Sequence, residues 1–408
     1  MQPRSRSSLD ADVVIVGAGI IGLATAWALA DARPDLRLAL VEKEAKPASH
    51  QTGHNSGVIH SGLYYKPGSD KARLVIEGRA ELMAFCDQRG IHYETCGKIV
   101  VATTDAELPR LTTLEERGRA NGVAVERIDR QRIRELEPWA EGRAGLHVPG
   151  AGIIRYRDVC EVLVDELTER GHTLLTSWPV TTIDQRADEV VVAGVRGELR
   201  ASLLINCAGL HSDRIAQLAG ADTGGVRIMA FRGEYYGLRP ERRYLCRNLV
   251  YPVPDPAFPF LGVHLTRLID GEIHVGPNAV PALGREGYRW RDIDRYDLVE
   301  VLRSPRSYRL ARKYWRTGLG EIHRSLRKAA FVDALQKLCP AVTIDDLVPS
   351  AAGVRAQAID AQGNLLDDFA FADGPRSVHV INAPSPAATA SFAIGRTVAQ
   401  RALARYAT

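Results

Sequence analysis

Asp12-Val-Val-Ile-Val-Gly17-Ala-Gly19-Ile-Ile-Gly22, running on to Leu38-Ala-Leu-Val-Glu42-Lys43-Glu44, decides the fold of this chain. Val13 to Val16 is a short apolar run of the kind that makes a buried parallel strand. Gly17 permits the tight turn after it, Gly19 lets backbone approach a pyrophosphate, and Gly22 lets the next helix pack close to the sheet. Ile20 and Ile21 open that helix, whose free N–H groups face the phosphates. Ala24 to Ala30 continue it, Pro34 stops it, and Leu38 to Val41 form a second strand. Glu42 then falls at the spacing of about 20 residues at which a carboxylate accepts hydrogen bonds from both ribose hydroxyls. A lone GxGxxG can be no more than a glycine-rich turn; with both strands, the helix and the spaced acid in place, the unit reads as a dinucleotide site.

The 408 residues are too many for one simple core and predict two domains, or one with a large insertion. Hydrophobic residues make up 45% and charged residues 25%, as in a soluble globular protein, and no run is long enough to cross a bilayer. The six cysteines show no CxxC and no metal-ligand spacing, so they read as reduced, buried side chains in a cytoplasmic compartment, and no metal is expected. Arg4 and Arg6 stand in a start that lacks the apolar segment of a secretory signal. Net charge is only +4, yet from Arg303 to Lys328 nine basic residues face one acid, Glu321, with Leu310, Tyr314, Trp315, Leu319 and Ile322 interleaved at helical spacing. That stretch reads first as a solvated helix pair covering the core, and second as a surface for anionic lipid, which would make the protein peripheral on the inner face of a membrane. No nucleic-acid-binding fold accompanies the charge.

Further along, Ala201-Ser-Leu-Leu-Ile-Asn-Cys-Ala208-Gly209 is an apolar strand breaking at a second small-residue turn into a helix. In flavoproteins built on this plan such a strand returns to the first sheet, an element most nicotinamide dehydrogenases lack. Gly145 to Ile154 predicts an exposed hairpin, and residues 226–290, rich in aromatics, proline and β-formers, predict an antiparallel sheet. Pro384 to Gly395 predicts a strand end, tight loop and helix N-terminus, with a helix beginning near Ser385 and directing its positive dipole end at a flavin ring. The expected architecture is α/β: a discontinuous Rossmann-like FAD-binding domain from 10–85, 150–225 and 345–408. Inserted in it is an α+β substrate domain from 86–149 and 226–344, built on a mostly antiparallel sheet and including a basic helical segment over 298–338.

Five further stretches carry a resemblance. They are Thr52-Gly-His-Asn-Ser-Gly-Val-Ile-His60-Ser-Gly-Leu-Tyr-Tyr65, Arg232-Gly-Glu-Tyr-Tyr236, Pro259-Phe-Leu-Gly-Val-His264-Leu-Thr266, Gly276-Pro-Asn-Ala-Val280 with Arg285-Glu-Gly-Tyr288, and Asn382-Ala-Pro-Ser-Pro-Ala-Ala-Thr389. In order and over nearly the whole chain, they resemble the L-2-hydroxyglutarate dehydrogenase/oxidase family of the D-amino-acid-oxidase-like FAD superfamily. The resemblance implies FAD, oxidation of L-2-hydroxyglutarate to 2-oxoglutarate, and electrons passed to a quinone or other acceptor. Two other readings of the same residues are an FAD enzyme for a different 2-hydroxy or amino acid, and a flavin-containing electron-transfer or membrane-docking subunit.

Oxidising a small dicarboxylate 2-hydroxy acid needs a hydride acceptor, a base for the hydroxyl proton and cations for the carboxylates. His60, in the Gly- and Ser-rich loop that the resemblance places beside the flavin ring, is the first choice of base, with His264 as second candidate. His54 competes with them and is also a candidate for covalent flavin attachment. Arg232 and Arg355 are the expected carboxylate clamps, because the guanidinium fork pairs with carboxylate bidentately; the bland alternative for each is an ion pair between domains. Tyr235, Tyr251 and Gln357 are expected to orient the substrate. Cofactor contacts are expected at Gly17, Gly19, Ile20, Ile21, Gly22, Glu42 and Lys43 of the first unit. The loop should add Thr52, His54, Asn55, Ser56 and Gly57, and later segments Val180, Ala208, Gly209, Gly353, Ser385, Pro386 and Ala387.

Overall fold

Val13–Val16 is buried along its whole length and pairs in parallel with Leu38–Val41 on one side and Leu203–Asn206 on the other. The computed structural model describes residues 9–255 and 261–406; Arg4, Arg6, Pro259 and Phe260 lie outside the described residues. The sheet grows from this centre to six strands in the order Ala370–Gly374, Ser377–Asn382, Leu203–Asn206, Val13–Val16, Leu38–Val41, Thr173–Leu175. All of its pairings are parallel except the edge strand Ala370–Gly374. The N-terminus, a middle segment and the C-terminus therefore share one sheet, and its apolar runs are fully buried because helices cover one face and a three-stranded sheet, Val180–Gln185, Val190–Gly194 and Gly197–Ala201, packs on the other.

Helix Ile20–Ala32 follows the glycine turn and packs on the C-terminal helix Ser391–Tyr406 so closely that a Cβ on Gly395 would come within 2.6 Å of the Ala24 backbone. Helix Asp70–Arg89 lies beside them, started by the Ser69 side chain accepting from the Ala72 N–H and ended by Gly90 in the left-handed region. Trp27, Phe85 and Phe392 meet there with ring centres 4.8–5.7 Å apart.

A second sheet of eight strands runs Leu347–Pro349, Tyr236–Leu238, Ile273–Gly276, His264–Arg267, Leu249–Pro252, Lys98–Ala102, Ala144–Val148, Glu126–Asp129. Leu249–Pro252 and Lys98–Ala102 are parallel and the other neighbours antiparallel. Leu347–Pro349 crosses the expected boundary at 345, because its ladder to Tyr236–Leu238 holds it in this sheet. Between the two sheets, Arg227–Gly233 pairs antiparallel with Gly353–Ile359.

Two other expectations are corrected. Ala144–Val148 and Gly152–Ile154 do not pair as an exposed hairpin: each joins a different sheet, and Leu146, Val148 and Ile153 are wholly buried. The segment Pro384 to Ala390 is a run of turns, and the α-helix begins at Ser391, beyond the cis Ser385–Pro386 bond. Turn bonds from the Ala387 N–H to the Pro384 carbonyl and from the Ala390 N–H to the Pro386 carbonyl hold this stretch. The basic segment forms three helices, Arg295–Arg303, Pro305–Leu326 and Lys328–Gln336. Its one acid between 303 and 328, Glu321, is buried, accepts the Ala279 N–H at 2.8 Å and pairs with Arg324.

Candidate active site

The glycine turn is shaped by steric need. Gly17 has φ of +101°, and a Cβ there would lie 2.5 Å from the Cys207 carbonyl oxygen; one on Gly22 would lie 1.9 Å from the Gly17 oxygen. Gly19 differs, since a Cβ there would meet only the Thr52 hydroxyl, at 3.3 Å. The space in front of it belongs to a cavity of about 910 Å³ lined by Gly17, Gly19, Ile20 and Ile21. Gly19 caps helix Ile20–Ala32 without any side-chain hydrogen bond, and no acid stands in the first turn. Thr52 takes only the Ile20 N–H, at 3.1 Å. A helix end of this kind presents unpaired donors to an anion.

Glu42 is buried on the same wall, with one carboxylate oxygen accepting the Ala18 N–H at 2.9 Å and the other the Glu44 N–H at 3.0 Å. Its remaining lone pairs are open to a pair of ribose hydroxyls. Lys43 also lines the cavity but is engaged among Glu44, Glu286 and His50. Ligand atoms of those three residues lie within 4.8 Å of one another, a spacing that would suit a metal, and the Lys43 ammonium pairs with all of them.

Thr52, His54, Asn55, Ser56, Val180, Ala208 and Gly209 all reach the cavity wall, as do Gly353, Ser385, Pro386 and Ala387. Gly22 and Gly57 do not. Gly22 serves helix packing, and Gly57, at φ of +64°, is pressed against the Ile154 carbonyl oxygen. Asn55 holds the loop together, donating to the Thr52 carbonyl and accepting the Gly57 N–H.

The cavity continues past His60, Tyr235, Tyr251, His264, Arg355 and Gln357. The His60 backbone N–H donates to Thr389 Oγ1 at 3.1 Å, which itself bonds the Tyr156 hydroxyl at 2.9 Å and so ties the loop to the C-terminal segment. His60 Nδ1 is buried with no hydrogen-bond partner among the described residues. Desolvation, helped by the nearby Lys98 charge, pushes this imidazole down to about 3, so it stands neutral. His264 Nδ1 lies 2.8 Å from the Gly262 carbonyl oxygen, which can only accept; the proton is on Nδ1 and Nε2 keeps its lone pair. Burial holds His264 down at about 4, and its ring stacks 4.0 Å from Tyr251. Tyr235 shares a side-chain hydrogen bond with Arg355. Gln357 spends its amide N–H on the Leu366 carbonyl at 2.7 Å and holds the turn there.

Arg232 is the correction. It pairs in register with Val354, whereas Arg355 pairs with Phe231, so the two arginines point to opposite faces of their ribbon. Arg232 is fully buried away from the cavity, 3.0 Å from a Glu234 carboxylate oxygen and with its guanidinium 4.5 Å from the Trp290 ring centre. Its ion pair is local, two residues along its own segment. The sequence reading also passed over Thr389, although it closes a resembling stretch, and Lys98, a lysine heading the otherwise apolar run Lys98-Ile-Val-Val-Ala102.

The cavity and its lining fit FAD: Gly19 leaves room for a pyrophosphate, the glycine-capped helix end faces it, and two neutral imidazoles stand at the other end. Comparison with known proteins agrees. An L-2-hydroxyglutarate dehydrogenase of Escherichia coli (strain K12) is 48% identical over 391 residues, covering 96% of this chain and 92% of that protein. One from Indibacter alkaliphilus is 47% identical over 399 residues, covering 98% and 100%. The mitochondrial L-2-hydroxyglutarate dehydrogenase of Homo sapiens is 44% identical over 421 residues, covering 99% and 91%. Among solved structures, L-alpha-glycerophosphate oxidase from Mycoplasma pneumoniae with FAD bound superposes with a TM-score of 0.79 at 25% identity, covering 97% of this chain and 94% of that one. The family model described as DAO, FAD dependent oxidoreductase, matches residues 12–401, and the chain belongs to that family.

Proposed function

We propose that this chain oxidises L-2-hydroxyglutarate to 2-oxoglutarate and delivers the electrons to a quinone at an anionic membrane surface. The observation that carries the reaction is the pairing, at one end of the FAD cavity, of two neutral imidazoles with the Arg355–Tyr235 donor pair. Arg355 and Tyr235 hold the carboxylate next to C2, which fixes the C2 hydrogen and the hydroxyl relative to His60. His60, neutral and with an unpartnered nitrogen, takes the hydroxyl proton; the arriving carboxylates favour the imidazolium that forms. His264 offers Nε2 as a second acceptor and orients the hydroxyl. When bound, FAD supplies the hydride acceptor N5, with the glycine turn, Glu42 and the 384–389 turns holding it.

The docking reading is supported by the helices over 295–326. Exposed Tyr296, Leu302, Tyr308, Trp315, Leu319 and Leu326 stand there among Arg303, Arg309, Arg312, Lys313 and Arg316. An apolar row flanked by cations suits the interface of an anionic bilayer. No helix among the described residues is long and apolar enough to cross a membrane.

The test is anaerobic mixing of the FAD-loaded protein with L-2-hydroxyglutarate, its D-enantiomer, lactate, malate and glycine. Rapid loss of the oxidised-flavin absorbance with L-2-hydroxyglutarate alone is expected; faster bleaching by any other acid overturns the assignment. Reoxidation by a short-chain quinone should outpace that by oxygen, and flotation with anionic vesicles should fall as salt rises.

A further inference from the structure

Lys98 heads a strand whose five residues, Lys98–Ala102, are all buried. Alternation along the strand puts its side chain on the face of Val100 and Ala102, in the cluster that includes Tyr251, while Ile99 and Val101 face the other core. Packing alone would fill such a position with an apolar side chain. Instead an ammonium sits 4.4 Å from the Tyr64 ring centre and 5.2 Å from that of Tyr251. The residue is 2% exposed, and no acid among the described residues offsets its desolvation. Tyr64 and Tyr251 both line the cavity, so the charge lies behind the wall they form.

Its charged surroundings are positive or neutral. His60 comes from the loop after the first unit and His264 from the strand beyond Leu249–Pro252 in the same sheet, and both feel the Lys98 charge. Lys71, on helix Asp70–Arg89, is held by the Asp367 carbonyl and carboxylate; Arg355, on the interdomain ribbon, is held by Tyr235. Arg117, on the helix Leu108–Ala120, donates to the Tyr64 carbonyl. The carboxylates nearby, Asp367 and Asp255, are exposed at 93% and 55% and paired with Lys71 and Arg110. A buried cation without an anion is costly, and one is retained where a ligand brings the anion.

We propose that Lys98 is a positioning residue for the oxidation: a buried amine behind the Tyr64–Tyr251 wall whose charged form is stabilised by the substrate's carboxylates, which couples anion binding to proton uptake. The inference rests on the carboxylate-substrate reading above. Burial pulls the Lys98 ammonium down to about 7 in the free protein. An anion entering the cavity favours the charged form, so above pH 7 binding must draw a proton from solvent. His60 and His264, at about 3 and about 4, take up protons only in a more acidic range.

The experiment is calorimetric titration of the FAD-loaded protein with 2-oxoglutarate at pH 8, in two buffers of different ionisation enthalpy. A large fraction of one proton should be taken up per site by the wild-type chain, and none by Lys98→Met. At pH 6.5 the variant should bind 2-oxoglutarate about tenfold more weakly. Without ligand it should melt at a higher temperature than wild type, because a desolvated charge is gone. Lys98→Gln is measured alongside. Absence of uptake in wild type, unchanged uptake in either variant, or loss of the fold in both overturns the proposal. If wild type binds pyruvate and not 2-oxoglutarate, the dicarboxylate reading fails, and the pyruvate titration reads Lys98 in its place.

Discussion

The two ends of the cavity are built from different materials. The dinucleotide end is made by backbone: a positive-φ glycine, a glycine whose missing Cβ admits a carbonyl, and a helix end whose glycine cap has no side chain. The reacting end is made by side chains from separate segments, namely His60, His264, Arg355, Tyr235 and Lys98. Backbone sites fail all at once when their geometry is filled, whereas side-chain sites fail one function at a time.

The sharpest way to break that contrast is Gly22→Val. A Cβ 1.9 Å from the Gly17 oxygen cannot be accommodated without moving the turn, so the purified variant should carry essentially no flavin by absorbance. Normal flavin content would show that the turn is not the anchor. At the other end, His60→Ala should keep its flavin and reduce it about 100-fold or more slowly in anaerobic stopped flow; a wild-type rate removes His60 from the chemistry. Arg355→Lys keeps a charge but loses the fork, and KM for the hydroxy acid should rise about tenfold with kcat much less altered. Equal loss of kcat and kcat/KM with an unchanged KM would place Arg355 outside substrate binding. Arg232→Met should leave KM within about twofold while lowering stability by about 2 kcal/mol, since the Glu234 carboxylate loses its charged partner but keeps the Asn278 amide and the Ser325 hydroxyl; chemical denaturation beside steady-state kinetics separates the two.

A separate effect is on acid stability. His60, His264 and His379 are all held below the ordinary histidine range, at about 3, 4 and 4. In the unfolded chain they protonate near 6.5. Between pH 6.5 and about 4 the unfolded state therefore binds more protons, and stability falls as pH falls through that window. Melting temperatures that stay flat from pH 7 to 4.5 would show the three rings to be charged in the folded protein.

The contrast also explains what could be read from the sequence. Gly17, Gly22 and Glu42 act through spacing along one continuous segment, which a linear sequence displays directly. Arg355 and Arg232 looked alike because each stands in a strand near a glycine; only the register, Phe231 opposite Arg355 and Val354 opposite Arg232, says which one faces the cavity. That register is a tertiary fact. The resemblance carried His60 and His264 but also Arg232, while Arg355 lies outside its stretches and was singled out by the glycine turn before it. It gave Lys98 no signal beyond a polar residue in an apolar strand. The two prolines near Ser385 gave no warning against a helix start there, since proline is accepted in a helix's first turn, as at Pro305.

The six-stranded sheet has a consequence for how the protein comes into being. Its central strand is made first, but the partner Leu203–Asn206 arrives midway and Ser377–Asn382 only near the end, followed by the helix that packs on Ile20–Ala32. The flavin compartment thus cannot close before residues 377–382 have been made, and the glycine turn waits more than 350 residues for its walls to be complete. Cofactor capture therefore depends on that late strand: a chain cut before residue 377 has the nucleotide motif intact and no compartment to hold the nucleotide.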